Sequence, residues 1–138
     1  MRTTKAAVKF AKYYCRMHGI KFRSSKSMEI SGQADLIEDM VIIRRDKNLI
    51  KFLSYLFHEV AHVRCAREKI FPLYHSRNRF YKNDSEIAKI RQQAWRAEVK
   101  VDKMAREEMK AYFPHLKYDA WYIRAPKEAK EFIKEYYQ

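Results

Sequence analysis

The chain has 138 residues, enough for one hydrophobic core and too few for two, so a single domain over 1–138 is expected. Apolar residues make up 47% and aromatics 14%, which excludes a disordered chain, and two cysteines, Cys15 and Cys65, are too few for a disulfide scaffold. Thirty Lys and Arg against 17 Asp and Glu give a formal charge of +13, which favours a nucleic acid or another acidic partner.

Residues Thr4 to His18 predict a first helix, with Ala7, Val8, Ala11, Tyr14 and Cys15 facing inward and Gly19 as its stop. Three short β-prone runs follow, Ile20 to Arg23, Ser27 to Ser31 and Met40 to Arg44, separated by turns containing Ser, Gly and Asp. They predict a small three-stranded antiparallel sheet.

From Asp46 to Arg67 the chain contains neither Gly nor Pro, and Asp46 is placed to cap a long helix. Projected at about 100° per residue, its apolar positions cover most of the circumference and leave a polar sector around Lys51, His58, Glu59 and His62. Such a helix belongs inside a domain. His58-Glu59-Val60-Ala61-His62 is an H-E-x-x-H motif, whose spacing puts both imidazoles on one helix face, where they can hold one zinc ion. Glu59 stands beside them as a candidate general base. The plain alternative is two interior histidines satisfied by backbone carbonyls.

A loop from Arg67 to Asp84 leads to a second long segment, Ser85 to Phe113, with Ile87, Ile90, Ala94, Ala97, Val101, Met104, Ala105 and Met109 on an apolar stripe. Asn83 and Glu86 form a candidate capping box at its start. Glu98 falls in the middle of that core-facing stripe, with Asp102 one turn later and about 40° around. Buried acids are costly unless cations or donors compensate them. A zinc ion with Glu98 as third protein ligand answers the cost and leaves a fourth position open. Asp102 is then placed to hold the free ring N–H of a ligating histidine, His58 in preference to His62. Alternatively both carboxylates reach solvent or pair with Lys100, Lys103 or Arg106. Cys65, three residues after His62, makes a poorer structural ligand, because the two histidines and Glu98 already fill the protein positions. The last segment, Lys117 to Gln138, turns at Pro126 and predicts a C-terminal helix with Ala129, Phe132, Ile133 and Tyr136 on one side.

His58-Glu59-Val60-Ala61-His62, followed 36 positions later by Glu98 and then by Asp102, resembles the gluzincin pattern of thermolysin-like metallopeptidases. In layout the chain is similar to minimal zincins of the ImmA/IrrE and SprT-like types. SprT-like proteins usually take a third histidine, so Glu98 favours the gluzincin side. The resemblance in specific residues covers His58 to Asp102. It implies an α+β, zincin-like fold: a small sheet packed with a central motif helix, a second ligand-bearing helix and helices at both ends. It also implies a zinc metalloendopeptidase acting on a protein or peptide substrate, with the strand before the motif helix, Met40 to Arg44, lining the cleft at a sheet edge. Tyr74 or His75, in the loop, would donate to the oxyanion of a tetrahedral intermediate; otherwise both belong to a solvent-facing loop.

The basic residues load the N-terminal part (Lys5, Lys9, Lys12, Arg16, Lys21, Arg23, Lys26) and the loop (Arg64, Arg67, Arg77, Arg79, Lys82), without forming a recognisable reader of bases. A non-enzymatic nucleic-acid-binding or protein-interaction domain on a zincin scaffold is therefore the competing class. The sequence offers no secretory leader and no long apolar span, so a cytoplasmic protein with reduced thiols and no membrane association is expected.

Overall fold

Thr4 opens the first helix: its hydroxyl accepts the Ala7 backbone N–H at 3.2 Å, satisfying one of the donors a helix start leaves unpaired. In the computed structural model, which describes residues 3–25, 32–45, 48–68 and 84–120, this helix, α1, runs Lys5–Met17. Its buried face is Ala7, Val8, Ala11, Tyr14 and Cys15, the face its spacing predicts. Gly19 ends it at φ 65°, a left-handed conformation that a Cβ disfavours.

The strands are β1 (Lys21–Ser25), β2 (Gly32–Asp35) and β3 (Met40–Arg44), in the order β1-β3-β2. β3 pairs parallel with β1 and antiparallel with β2, so the sheet is mixed where an antiparallel one was expected. β2 and β3 are joined directly by a turn, in which Asp35 Oδ1 accepts the Ile37 and Glu38 N–H groups at 3.1 and 3.0 Å. Such a turn forces an antiparallel pair. β1 is not linked to β3 by a turn and is free to run parallel. The apolar strand takes the centre: Val41 and Ile43 of β3 are wholly buried, while the more polar β1 and β2 occupy the edges. Met40 to Arg44 is therefore a central strand and not an edge. The expected strand at Ser27 to Ser31 lies outside the described residues, and β2 forms in a stretch whose Gly and Asp predict a turn.

Helix α2 runs Leu49–Arg67 and is capped by Asn48, whose Oδ1 accepts the Lys51 N–H at 3.2 Å. Asp46 lies outside the described residues, and the capping role falls to Asn48. Phe52, Leu53, Leu56, Phe57, Val60, Ala61 and Val63 are all at most 2% exposed, so α2 is the buried helix its all-round apolar pattern predicts. Each such large side chain contributes about 1.5–3 kcal/mol of transfer free energy. It packs against α1, β2, β3 and the third helix, α3 (Asp84–Tyr112). α3 buries Val101, Ala105 and Met109 in the same core, and its Ala97 is buried as well.

Two devices fix α2 in rotation. Phe10 of α1 meets Phe57 and Phe113, and Tyr14 meets Phe57, with ring centroids 4.9 to 6.1 Å apart, wedging α1 between α2 and the end of α3. At the other end the Arg67 guanidinium donates to the carbonyls of His18 and Gly19, the latter at 2.7 Å, and pairs with Asp39 in the β2–β3 turn. Among the described residues the architecture is α+β, three helices with one mixed three-stranded sheet, and no helix is long and apolar enough to cross a membrane. The expected C-terminal helix beyond Pro126 lies outside the described residues.

Candidate metal centre

Four residues apart on α2, His58 and His62 stand with ring centroids 4.9 Å apart and planes at 75°. Glu98 reaches them from α3: one of its carboxylate oxygens, Oε2, lies 3.1 Å from His58 Nε2 and 3.0 Å from His62 Nε2. All three donor atoms fall within 4.8 Å of one another. A tetrahedral zinc with bonds of about 2.0–2.1 Å needs donors about 3.3 Å apart, which the two histidine–Glu98 separations already approach. Depth differs: the His58 side chain is 10% exposed, Glu98 20% and His62 23%.

Electrostatics also suit a cation. Three carboxyl groups, Glu59, Glu98 and Asp102, crowd two imidazoles. Burial pulls the His58 pKa down, yet hydrogen bonds to Asp102 and Glu98 and the nearby acidic charges outweigh it, and the group is pushed up to about 10. Burial would raise Glu98, but the His62 charge and the hydrogen bonds of both histidines hold it well below the usual carboxylate range. Glu59 is pushed up, by burial first and by Glu98 as well, against the pull of the two histidines. Without a cation the acids around His58 favour its protonated form. A divalent ion would supply that positive charge instead.

Glu59 projects from α2 towards β2. A Cβ built on Gly32 would lie 3.1 Å from Glu59 Cγ and 3.3 Å from Ile43 Cδ1. The missing side chain at Gly32 leaves the space Glu59 occupies. The strand flanking the candidate base is thus β2, an edge strand of the described sheet, rather than Met40 to Arg44. Nothing in the sequence pairs Gly32 with Glu59.

Asp102, 1% exposed, stands behind His58 with Oδ1 3.3 Å from Nδ1. The alternatives of solvent or a lysine partner do not describe Glu98 and Asp102 here; both carboxylates turn to the histidines. Sequence reasoning missed Tyr118, whose hydroxyl donates a short hydrogen bond to Asp102 Oδ1 and lies 3.4 Å from His58 Nδ1. It follows α3 in irregular chain, where no periodic pattern marks it. Cys65 is buried with its thiol on Met104 Sδ at 3.9 Å and does not join the donor group. Tyr74 and His75 lie outside the described residues.

Compared with known proteins, the chain matches no family model, no curated protein and no solved structure.

Proposed function

We propose that the protein is a zinc-dependent metallopeptidase of gluzincin-like, zincin-like design, cleaving peptide bonds in a protein or peptide substrate. The observation that carries this reading is the convergence of His58 Nε2, His62 Nε2 and the Glu98 carboxylate on one point, with Glu59 adjacent in the same helix. Two imidazoles and one carboxylate suit zinc and leave a coordination position free. A zinc ion held there would supply Lewis acidity, acidifying a water and polarising the scissile carbonyl.

The chain's own groups do the rest. Glu59 accepts a proton from the attacking water and returns it to the leaving amine, a task helped by a pKa raised through burial. Asp102 accepts from His58 Nδ1–H and so leaves Nε2 with its lone pair. The edge strand β2 offers main-chain groups to which an extended peptide can pair beside Glu59.

Metal content of the untagged protein, wild type against Glu98→Ala, tests the site; a peptide library read by mass spectrometry, wild type against Glu59→Gln, tests the chemistry. About one zinc per wild-type chain, lost in Glu98→Ala, with cleavage abolished in Glu59→Gln but zinc retained, supports the reading. No metal after reconstitution, or wild-type cleavage by Glu59→Gln, refutes it.

A second reading, a basic binding module in which zinc is only structural, is favoured by one observation. Lys5, Lys9, Lys12 and Arg16 are all exposed along one face of α1, a helix that contains no acid. It would be favoured by salt-sensitive binding of duplex DNA to the Glu59→Gln protein, with the salt slope falling by roughly 0.9 for each phosphate no longer neutralised once these four are changed to Gln.

A further inference from the structure

We infer that Tyr118 is a positioning residue of the metal centre, its hydroxyl fixing the Asp102–His58 pair so that His58 offers Nε2 to the ion. This rests on the metal-centre reading above and extends it to a residue outside the ligand set.

A phenol has one proton to donate and lone pairs to accept with. The Tyr118 proton goes to Asp102 Oδ1. The phenol oxygen then faces His58 Nδ1 at 3.4 Å, beside Asp102 Oδ1 at 3.3 Å. Nδ1 therefore meets two acceptors and must carry a hydrogen. With Nδ1 committed in this way, Nε2, the atom turned to Glu98, is the one whose lone pair an ion in place of the proton there would take. Each approach to Nδ1 is long for a hydrogen bond, so neither acceptor alone fixes the ring well, and the two share the proton between them.

Asp102 has few other means of compensation. It is 1% exposed, and among the described residues its Oδ2 has no hydrogen-bond partner. A buried carboxylate in that position depends on its few donors, and the shortest of them comes from Tyr118.

The placement of Tyr118 is itself built. Ser54, 1% exposed, accepts the Asp119 backbone N–H at 2.9 Å, and its own hydroxyl faces Met109 Sδ at 3.7 Å. Ser54 lies one turn before His58 on α2, so it pins the backbone next to Tyr118 to the helix face that carries the ligand. A buried serine in a run of apolar residues has a reason to be there if that segment must be held in register with His58.

The test is cobalt and zinc affinity of the full chain, measured by competition with a chromophoric chelator, with far-UV circular dichroism as the check on folding. Tyr118→Phe keeps the ring and is expected to bind 10- to 100-fold more weakly, with an altered cobalt d–d spectrum. Because Tyr118 acts through Asp102, adding Tyr118→Phe to Asp102→Asn should cost nothing further; a merely structural tyrosine would give losses that multiply. Ser54→Ala leaves the Tyr118 hydroxyl in place but frees the backbone beside it, and should weaken binding in the same direction, which keeps the inference testable if Tyr118→Phe folds poorly. Wild-type affinity in both variants, or multiplying losses, overturns it while leaving the centre intact. Absence of metal binding by the wild type overturns the centre and this inference together.

Discussion

In the proposed metallopeptidase, replacing Gly32 with Ala should damage proton transfer without weakening metal binding. The added methyl would sit 3.1 Å from Glu59 Cγ, 3.3 Å from Ile43 Cδ1 and 3.6 Å from Glu59 Oε1, whereas carbon atoms rest about 3.5–4.0 Å apart. The overlap with Glu59 is therefore roughly half an ångström or more, given those resting distances. Ile43 is wholly buried in the central strand and has nowhere to go, so the longer side chain moves. A displacement approaching 1 Å at a reacting group costs about 10²-fold in rate, so kcat is expected to fall 10- to 100-fold. Global stability should fall by about 0–2.5 kcal/mol, because Ala regains about 0.5–1 kcal/mol over Gly in a strand while overpacking costs about 1–3 kcal/mol. Zinc affinity should hold, since Glu59 is not among the donors. The assay is kcat on the best peptide from the library screen beside chelator competition for zinc. Wild-type kcat in Gly32→Ala would show that β2 does not constrain Glu59, and absence of zinc from a normally folded variant would show that Glu59 supports the ligands instead.

Leu56→Ala removes a wholly buried side chain from α2 and should lower stability by about 2–5 kcal/mol in urea melts; a smaller loss would mean the core closes over the gap. Arg67→Ala should cost about 1–3 kcal/mol, since the carbonyls of His18 and Gly19 lose a charged donor, and an unchanged midpoint would show water replaces it. Burial pushes the Cys15 thiol up to about 12 and raises Tyr14 as well, by burial first and by Glu108. Folded-state pKa values above the unfolded ones give stability that is whole below the unfolded pKa of about 9 and is lost as pH climbs towards 12. Thermal melts from pH 8 to 11 should therefore decline, less steeply in Cys15→Ala, and parallel slopes in the two proteins would contradict this. Over the same range a thiol reagent should modify Cys15 only as fast as the protein opens, because the residue is wholly buried.

Local periodicity was enough to determine the three helices among the described residues, because each writes its buried face into its own spacing. The α1 face from Ala7 to Cys15 and the all-round apolar α2 needed no tertiary information. Glu98 was legible for the same reason, as an acid on a core-facing stripe. Between Asp46 and Asn48 both residue types cap helices, and only the geometry shows Asn48 doing so. Strand order and direction were not legible, because antiparallel and mixed sheets satisfy the same short β-prone runs. The choice went to the apolar Val41 and Ile43 taking the centre and to the Asp35 turn. Gly32 and Tyr118 were invisible in the sequence: one matters through a side chain it lacks, the other through a hydroxyl in irregular chain 60 residues from His58. Encounters of that kind exist only once the chain has folded, since no local pattern encodes which distant atoms will share a space.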